Sequence, residues 1–227
     1  MGRLTEDPAF LATTFVVIDF EATTPTGYPA QPIEVAALAL RHRGGAWTEA
    51  GRSTSLIRPP DFAPVTPDVT AQNGLTPHLL RDAPHPAQAF ATLDQRFTPG
   101  TPYLLVAQHA ATEANIIYNQ REHCPRLARV DLLDTIPLAK LLIPGLPNYK
   151  LDTLLAHFGI MHPLDRHRAT ADVDVTAQVF RHLIALADEN TRPGDLASLM
   201  KRAGRTARCN IPVQDELFGA NLETEDA

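Results

Sequence analysis

Asp19 and Glu21 stand two residues apart at the end of the apolar run Phe15-Val16-Val17-Ile18. A short continuous apolar run predicts a strand buried on both faces. Side chains alternate across a strand, so the two carboxylates point to one side, about 7 Å apart along it. Acids so placed repel one another unless a cation sits between them. The pair alone also fits two strand-end acids that simply face water.

Three more residues change that balance. Glu113 follows the apolar run Tyr103–Ala107 at the start of a helical stretch, and Asp172 lies one turn into the longest helical stretch. His167 stands five residues before Asp172. If the long helix packs across the sheet near the end of the first strand, four carboxylates converge with a histidine at the rim. Hard divalent cations such as Mg²⁺ or Mn²⁺ take carboxylate oxygens and water rather than sulfur. Two of them roughly 3.5–4 Å apart can hold the attacking and leaving oxygens of a phosphodiester in line. A histidine alongside is the residue type suited to taking the proton from the attacking water. Taken singly, His167 also fits a surface histidine, and Glu113 a first-turn acid favoured by its helix dipole.

The elements that must position these groups follow from periodicity and turn residues. After the strand 15–21, a Pro- and Gly-containing loop leads to a second strand over Ile33–Leu40. Arg43-Gly44-Gly45 then turns the chain into a third strand, Trp47–Ile57, as an antiparallel hairpin or meander. The alanine-rich 36–39 also fits a helix. Residues 59–86 read as loop, and Ala87–Phe97 as a helix. Tyr103–Ala107 reads as a buried strand, followed by a helix from about Thr112 and a short strand over Val130–Asp134. Helices are predicted over Thr135–Leu142, Lys150–Phe158 and Ala169–Ala187, the last with the apolar stripe Val173, Ala177, Phe180, Leu183, Ile184 and Ala187. A meander followed by alternating strands and helices predicts an α/β layered domain with a mixed sheet of roughly five strands flanked by helices. Residues 1–13 read as a leader, 14–190 as the domain, and 191–227 as an extension. That extension is basic at Lys201, Arg202, Arg205 and Arg208, then acidic at Glu216, Glu223, Glu225 and Asp226. It fits a solvated helix and tail, or a contact for nucleic acid or a protein partner.

Composition sets outer limits. A chain of 227 residues with 44% hydrophobic and 20% charged side chains has room for one sizeable core. No apolar run has membrane-spanning length, and the first residues lack the blocks of a signal peptide. Two cysteines without metal-ligand spacing fit a reducing, cytoplasmic setting. The net charge of −6 argues against coating nucleic acid through bulk positive charge, but not against gripping a few nucleotides at a metal site. Most of the 20 prolines fall between the predicted elements, as stiffened connections.

Three segments resemble the DEDDh 3′–5′ exonucleases, the family that includes the DNA polymerase III epsilon proofreading subunit. They are Val17-Ile18-Asp19-Phe20-Glu21-Ala22-Thr23, Ala107-Gln108-His109-Ala110-Ala111-Thr112-Glu113 and His167-Arg168-Ala169-Thr170-Ala171-Asp172. Asn73-Gly74-Leu75-Thr76 and Leu146-Pro147-Asn148-Tyr149-Lys150-Leu151 resemble the family's connecting segments, so the likeness spans roughly residues 14–188. It implies an RNase H-like fold and hydrolysis of nucleic acid from a 3′ end with two divalent cations, Mg²⁺ or Mn²⁺. The same likeness implies that Asp19 and Asp172 hold the deeper ion and that Glu113 is a further metal ligand. Glu21 would position the attacking water and meet the 3′ end, and His167 would be the general base. Phe20, Ala22, Leu75, Thr76 and His109 fall where the terminal nucleotide would be held, although Phe20 equally fits the core. Two positions depart from the family pattern: Glu113 replaces an aspartate, and Gln108-His109 replaces a His-Asn pair. These departures leave open a non-catalytic nucleic-acid or protein-binding module on the same fold.

Overall fold

The computed structural model describes residues 2–164 and 167–211. Thr14–Thr23 (β1), Gln31–Arg43 (β2), Ala46–Leu56 (β3), Tyr103–Ala107 (β4), Leu132–Asp134 (β5) and Gly204–Arg205 (β6) form one sheet. Its strand order is β3-β2-β1-β4-β5-β6. The pairs β1–β4 and β4–β5 are parallel, and β1–β2, β2–β3 and β5–β6 are antiparallel. The sheet is mixed, as expected, with a short sixth strand added at one edge. Parallel pairing brings the carboxyl ends of β1, β4 and β5 to the same side of the sheet, where open α/β sheets place their ligands.

The hairpin forms for a local reason. Gly44 and Gly45 have φ of 57° and 80°, and Arg43 pairs with Ala46 across them. A two-residue turn with both φ values positive matches the twist of its strands, and glycine takes that conformation without steric cost. Ala36–Ala39 lie in β2, which is hydrogen-bonded on both sides, so the helical alternative fails for this segment.

Alternation along β1 divides the core in two. Phe15 and Val17 face Ala169–Asn190 (α8), and pack with Val173, Ala177 and Phe180. Here Phe10, Phe15, Trp47 and Phe180 form an aromatic group, with the Phe15–Phe180 centroids 5.4 Å apart. Val16, Ile18 and Phe20 face the other way, against Pro86–Asp94 (α4) and Ala110–Asn119 (α5). Phe20 stacks on Phe90 at 5.6 Å and 5°. Its ring belongs to the core on the face opposite the carboxylates, so any substrate contact at position 20 must run through the backbone.

Several stretches differ from the sequence expectation. Residues 59–86 are not all loop, because Pro67–Asn73 and Pro77–Leu80 are helices (α2 and α3). Thr66 and Thr76 cap them by accepting from the Val69 and Leu79 N–H groups (3.3 and 3.1 Å), with proline at the first helical position. Proline there lacks only an N–H that would have no helical partner, and its φ already suits the helix. Pro8 and Pro86 begin helices in the same way, Pro8 opening Pro8–Ala12 (α1). Within 1–13, Leu4 and Phe10 are fully buried, and Thr5 hydrogen-bonds Asp188 of α8. Within 191–227, Leu196–Ala203 (α9) buries Leu199 and Ala203, and β6 extends the sheet, while Lys201, Arg202, Arg205 and Arg208 stay exposed. The acidic positions Glu216, Glu223, Glu225 and Asp226 lie outside the described residues. Thr135–Leu142 (α6) and Leu151–Phe158 (α7) complete the layer beside α8. No helix among the described residues is long and apolar enough to cross a membrane.

Candidate active site

Asp19 and Glu21 project from the carboxyl end of β1 on the α8 face, and Asp172 meets them from the first turn of α8. One carboxylate oxygen from each of the three lies within 4.8 Å of the others. Asp172 is 7% exposed, so the group is only partly screened by water. Carboxylates this close raise one another's cost of ionisation unless positive charge offsets it. The pairing of β1 with β2 slips between Glu21 and Ala22, a bulge of the kind that re-aims side chains at functional edges. Asn73, at the end of α2, donates through Nδ2 to Glu21 Oε2 (3.2 Å), and its Oδ1 accepts from the Leu75 N–H (3.0 Å).

Glu113 stands behind this group rather than within it. It is 4% exposed, and its Oε2 has no hydrogen-bond partner among the described residues. Burial, followed by the negative charges of Asp19 and Asp134, pushes its carboxyl well above the usual range. Asp134 positions the helix that carries it: its carboxylate accepts from the N–H groups of His109 (3.3 Å) and Ala110 (3.0 Å) at the start of α5. It also caps α6 through Ile136 N–H (2.9 Å). An all-oxygen donor set, with a buried unpartnered carboxylate oxygen beside it, fits a hard divalent cation.

The raised carboxyl has a measurable consequence for the metal-free protein. A folded pKa above the unfolded value means that Glu113 costs no stability below the unfolded pKa. Stability is then lost as pH rises through the folded pKa. Glu113→Gln should therefore leave the melting temperature unchanged near pH 4 and raise it at pH 8 in the presence of EDTA. Thermal denaturation across that range checks the sign, and equal melting curves at pH 8 would contradict it.

The remaining candidate residues fall as follows. His167 is half-buried, two residues before α8, with a left-handed backbone at φ 66°. Ala22 is partly buried at the end of β1. Leu75 is fully buried in a small core with Ile33, Val65 and Leu80, and Thr76 uses its hydroxyl to cap α3. His109 is exposed, also left-handed (φ 70°), with Nδ1 bonded to Thr112 Oγ1 (2.9 Å). Asp174 points away from the acids and accepts from Arg52 (2.7 Å), as expected two residues round the helix from Asp172. Asp152 is bridged to His162 at 3.7 Å, whereas Asp165 lies outside the described residues.

With this geometry in place, comparison with known proteins decides the family. The exonuclease family model described as RNase_T matches residues 16–180, most of the chain. The chain belongs to the DEDD-type 3′–5′ exonuclease family. This exonuclease domain is 28% identical over 184 residues to a PolC-type DNA polymerase III of Caldanaerobacter subterraneus, covering 81% of the chain. It spans only 12% of that relative's length. It is 29% identical over 173 residues to the DNA polymerase III subunit epsilon of Aquifex aeolicus, covering 74% of the chain and 78% of that subunit. Among solved structures it is similar to exonuclease X in complex with 5′-overhanging duplex DNA, with a TM-score of 0.58 and 21% identity. That match covers 82% of this chain and 98% of the other. The nuclease domain of 3′hExo, a DEDDh family member bound to rAMP, matches with a TM-score of 0.64 and 16% identity, covering 78% and 94%. These likenesses establish the RNase H-like fold.

Several residues of the exonuclease domain that shape the site had escaped sequence reasoning. Asn73 reaches Glu21, Asp134 holds the start of α5, and Glu34 holds the start of α8. Gln108, one of the two departures at the second motif, is used structurally. Its Nε2 donates to the Tyr149 carbonyl (2.8 Å), and its Oε1 accepts from the Thr135 hydroxyl. Asn73 and Asp134 carried local signals, Asn73 as the last residue before the left-handed Gly74 that ends α2 and Asp134 as a cap-type residue directly before α6.

Proposed function

We propose that this exonuclease domain removes nucleotides from the 3′ end of single-stranded DNA or RNA by a two-metal-ion mechanism. The approach of Asp19, Glu21 and Asp172 within 4.8 Å carries this reading. Asp19 and Asp172 would hold the deeper ion, with Glu21 and Glu113 completing the oxygen set. Divalent cations bound there would offset the carboxylate repulsion, polarise the phosphodiester and acidify the attacking water. Glu21, steadied by Asn73, positions that water and meets the terminal nucleotide. His167 would take the water's proton as the new P–O bond forms and the bond from phosphorus to the O3′ of the preceding nucleotide breaks, that oxygen taking a proton from solvent to become the new 3′ hydroxyl. The backbone at Phe20, Ala22 and Leu75, together with Thr76 and His109, lines the place of the terminal nucleotide.

The test is a panel of 5′- and 3′-labelled single-stranded DNA and RNA with Mg²⁺, Mn²⁺ or EDTA. Release of mononucleotides from the 3′ end, dependent on a divalent cation, is the expected result. End binding without turnover in excess Mn²⁺ would instead favour a non-catalytic module, the reading that Glu113 and Gln108-His109 leave open.

A protein partner, if the domain has one, would meet the exposed cations Lys201, Arg202, Arg205 and Arg208 or the segment beyond them. Ending the chain after Ile211 should spare hydrolysis of short oligonucleotides, and it should weaken an association carried by the segment beyond that residue. Ending it before Asp195 should unfold it, since loss of the buried Leu199 side chain alone costs about 3 kcal/mol. Melting temperature and oligonucleotide turnover of the two truncations check this, and a stable, active chain ending before Asp195 would contradict it.

A further inference from the structure

Glu34 is a carboxylate where a buried strand has least reason to carry one. It is 3% exposed, lies in β2, and sits directly opposite Glu21 in the β1–β2 ladder. It does not join the three converging acids. Both of its oxygens are turned instead to the segment that leads into α8. Oε1 accepts from Arg168 Nη2 (2.6 Å) and Nε (3.2 Å), and Oε2 from Arg168 Nε (3.0 Å) and the Ala169 N–H (2.9 Å). A bidentate guanidinium and a backbone donor together repay the desolvation of a buried carboxylate.

What this clamp holds matters more than what it costs. Arg168, the N-cap residue, makes no side-chain cap of its own, so Glu34 supplies the cap to α8 from another element of the sheet. The Arg168 carbonyl accepts from the Asp172 N–H (3.0 Å), which links the clamp to the first helical turn. On the other side, Arg168 directly follows His167, whose φ of 66° is a left-handed conformation that a residue with a side chain adopts only at a cost. Such a conformation persists only where the surroundings impose it. Arg168, held by Glu34, is joined to His167 by the peptide bond, so the pair fixes the chain on one side of that conformation.

We infer that Glu34 and Arg168 are positioning residues that fix His167 relative to the carboxylates. The inference rests on the proposed role of His167 as general base. A reacting group displaced by about 1 Å can lose on the order of 100-fold in rate. An ion pair serving stability alone would instead show its effect in the melting temperature.

The test uses the full chain with Arg168→Met, Arg168→Lys, Glu34→Gln and the double variant Glu34→Gln/Arg168→Met. Arg168→Met leaves a buried carboxylate without its cation, and the double variant removes that penalty while an amide can still accept from Ala169 N–H. Arg168→Met and the double variant should each lower kcat on a short oligonucleotide by about 10- to 100-fold. Their KM, and the Mn²⁺ affinity of the substrate-free protein by calorimetry, should stay within about threefold of wild type. The double variant should recover melting temperature over Arg168→Met without recovering kcat, and Arg168→Lys should retain intermediate kcat. In a His167→Asn background, Arg168→Met should have no further effect, because groups acting through one another are non-additive. Full additivity there, kcat losses that follow melting temperature or Mn²⁺ affinity, or wild-type kcat in the clamp variants would overturn the inference. A wild-type chain that releases no nucleotides would overturn the functional reading together with the clamp, and a fully active His167→Asn would overturn the role of His167 and the clamp with it. Wild-type activity lost in His167→Asn but intact in the clamp variants would overturn the clamp alone.

Discussion

Asparagine in place of Asp19 is expected to lower the cation-dependent release of nucleotides by about 1,000-fold or more. The substitution keeps the shape of the side chain but removes one of three anions whose oxygens lie within 4.8 Å of one another. Loss of about 4 kcal/mol of charge stabilisation in the transition state corresponds to that factor. A second readout separates lost chemistry from lost folding. Asp19 is one of the negative charges that raise the Glu113 carboxyl, so its removal relieves repulsion in the metal-free protein. Asp19→Asn should therefore melt no lower than wild type in EDTA, while binding Mn²⁺ more weakly. Wild-type turnover in this variant would sink the proposed function.

His167→Asn carries the second large effect, a fall in kcat of about 100- to 10,000-fold, the usual range for loss of a general base. Asparagine is the informative replacement because it tolerates the left-handed region better than alanine does. At φ 66° it preserves the backbone that leads into α8 while removing the imidazole. Mn²⁺ affinity should be retained, since the carboxylate group is untouched, and added imidazole should restore part of the rate. Wild-type kcat in His167→Asn would remove His167 from the chemistry and leave the carboxylates as the only shared feature with a two-ion nuclease.

Local chemistry in the chain was enough to set much of the fold. The buried run before Asp19, the Gly44-Gly45 turn and the stripe Val173–Ala187 each appear as expected in β1, in the β2–β3 hairpin and on α8. These are properties of a few consecutive residues, because strand alternation, positive φ and helical periodicity are decided within one or two turns of chain. The helices α2 and α3 were equally local: Thr66-Pro67 and Thr76-Pro77 are cap and first-turn pairs, although their prolines read as connections.

Sequence alone also brought Asp19, Glu21, Glu113, His167 and Asp172 forward, through residue type and their likeness to one family. Which of them meet was decided by the tertiary structure. Parallel pairing of β1 with β4 and the crossing of α8 over β1 bring three acids together and leave Glu113 buried behind them. Glu34 belongs wholly to this level. In sequence it is an acid in the middle of an apolar strand, 134 positions from the arginine that neutralises it. Spacing records the face on which a side chain stands. Only the packed sheet determines which distant element that face will touch, because each such contact closes a long loop and forms only when the whole core forms.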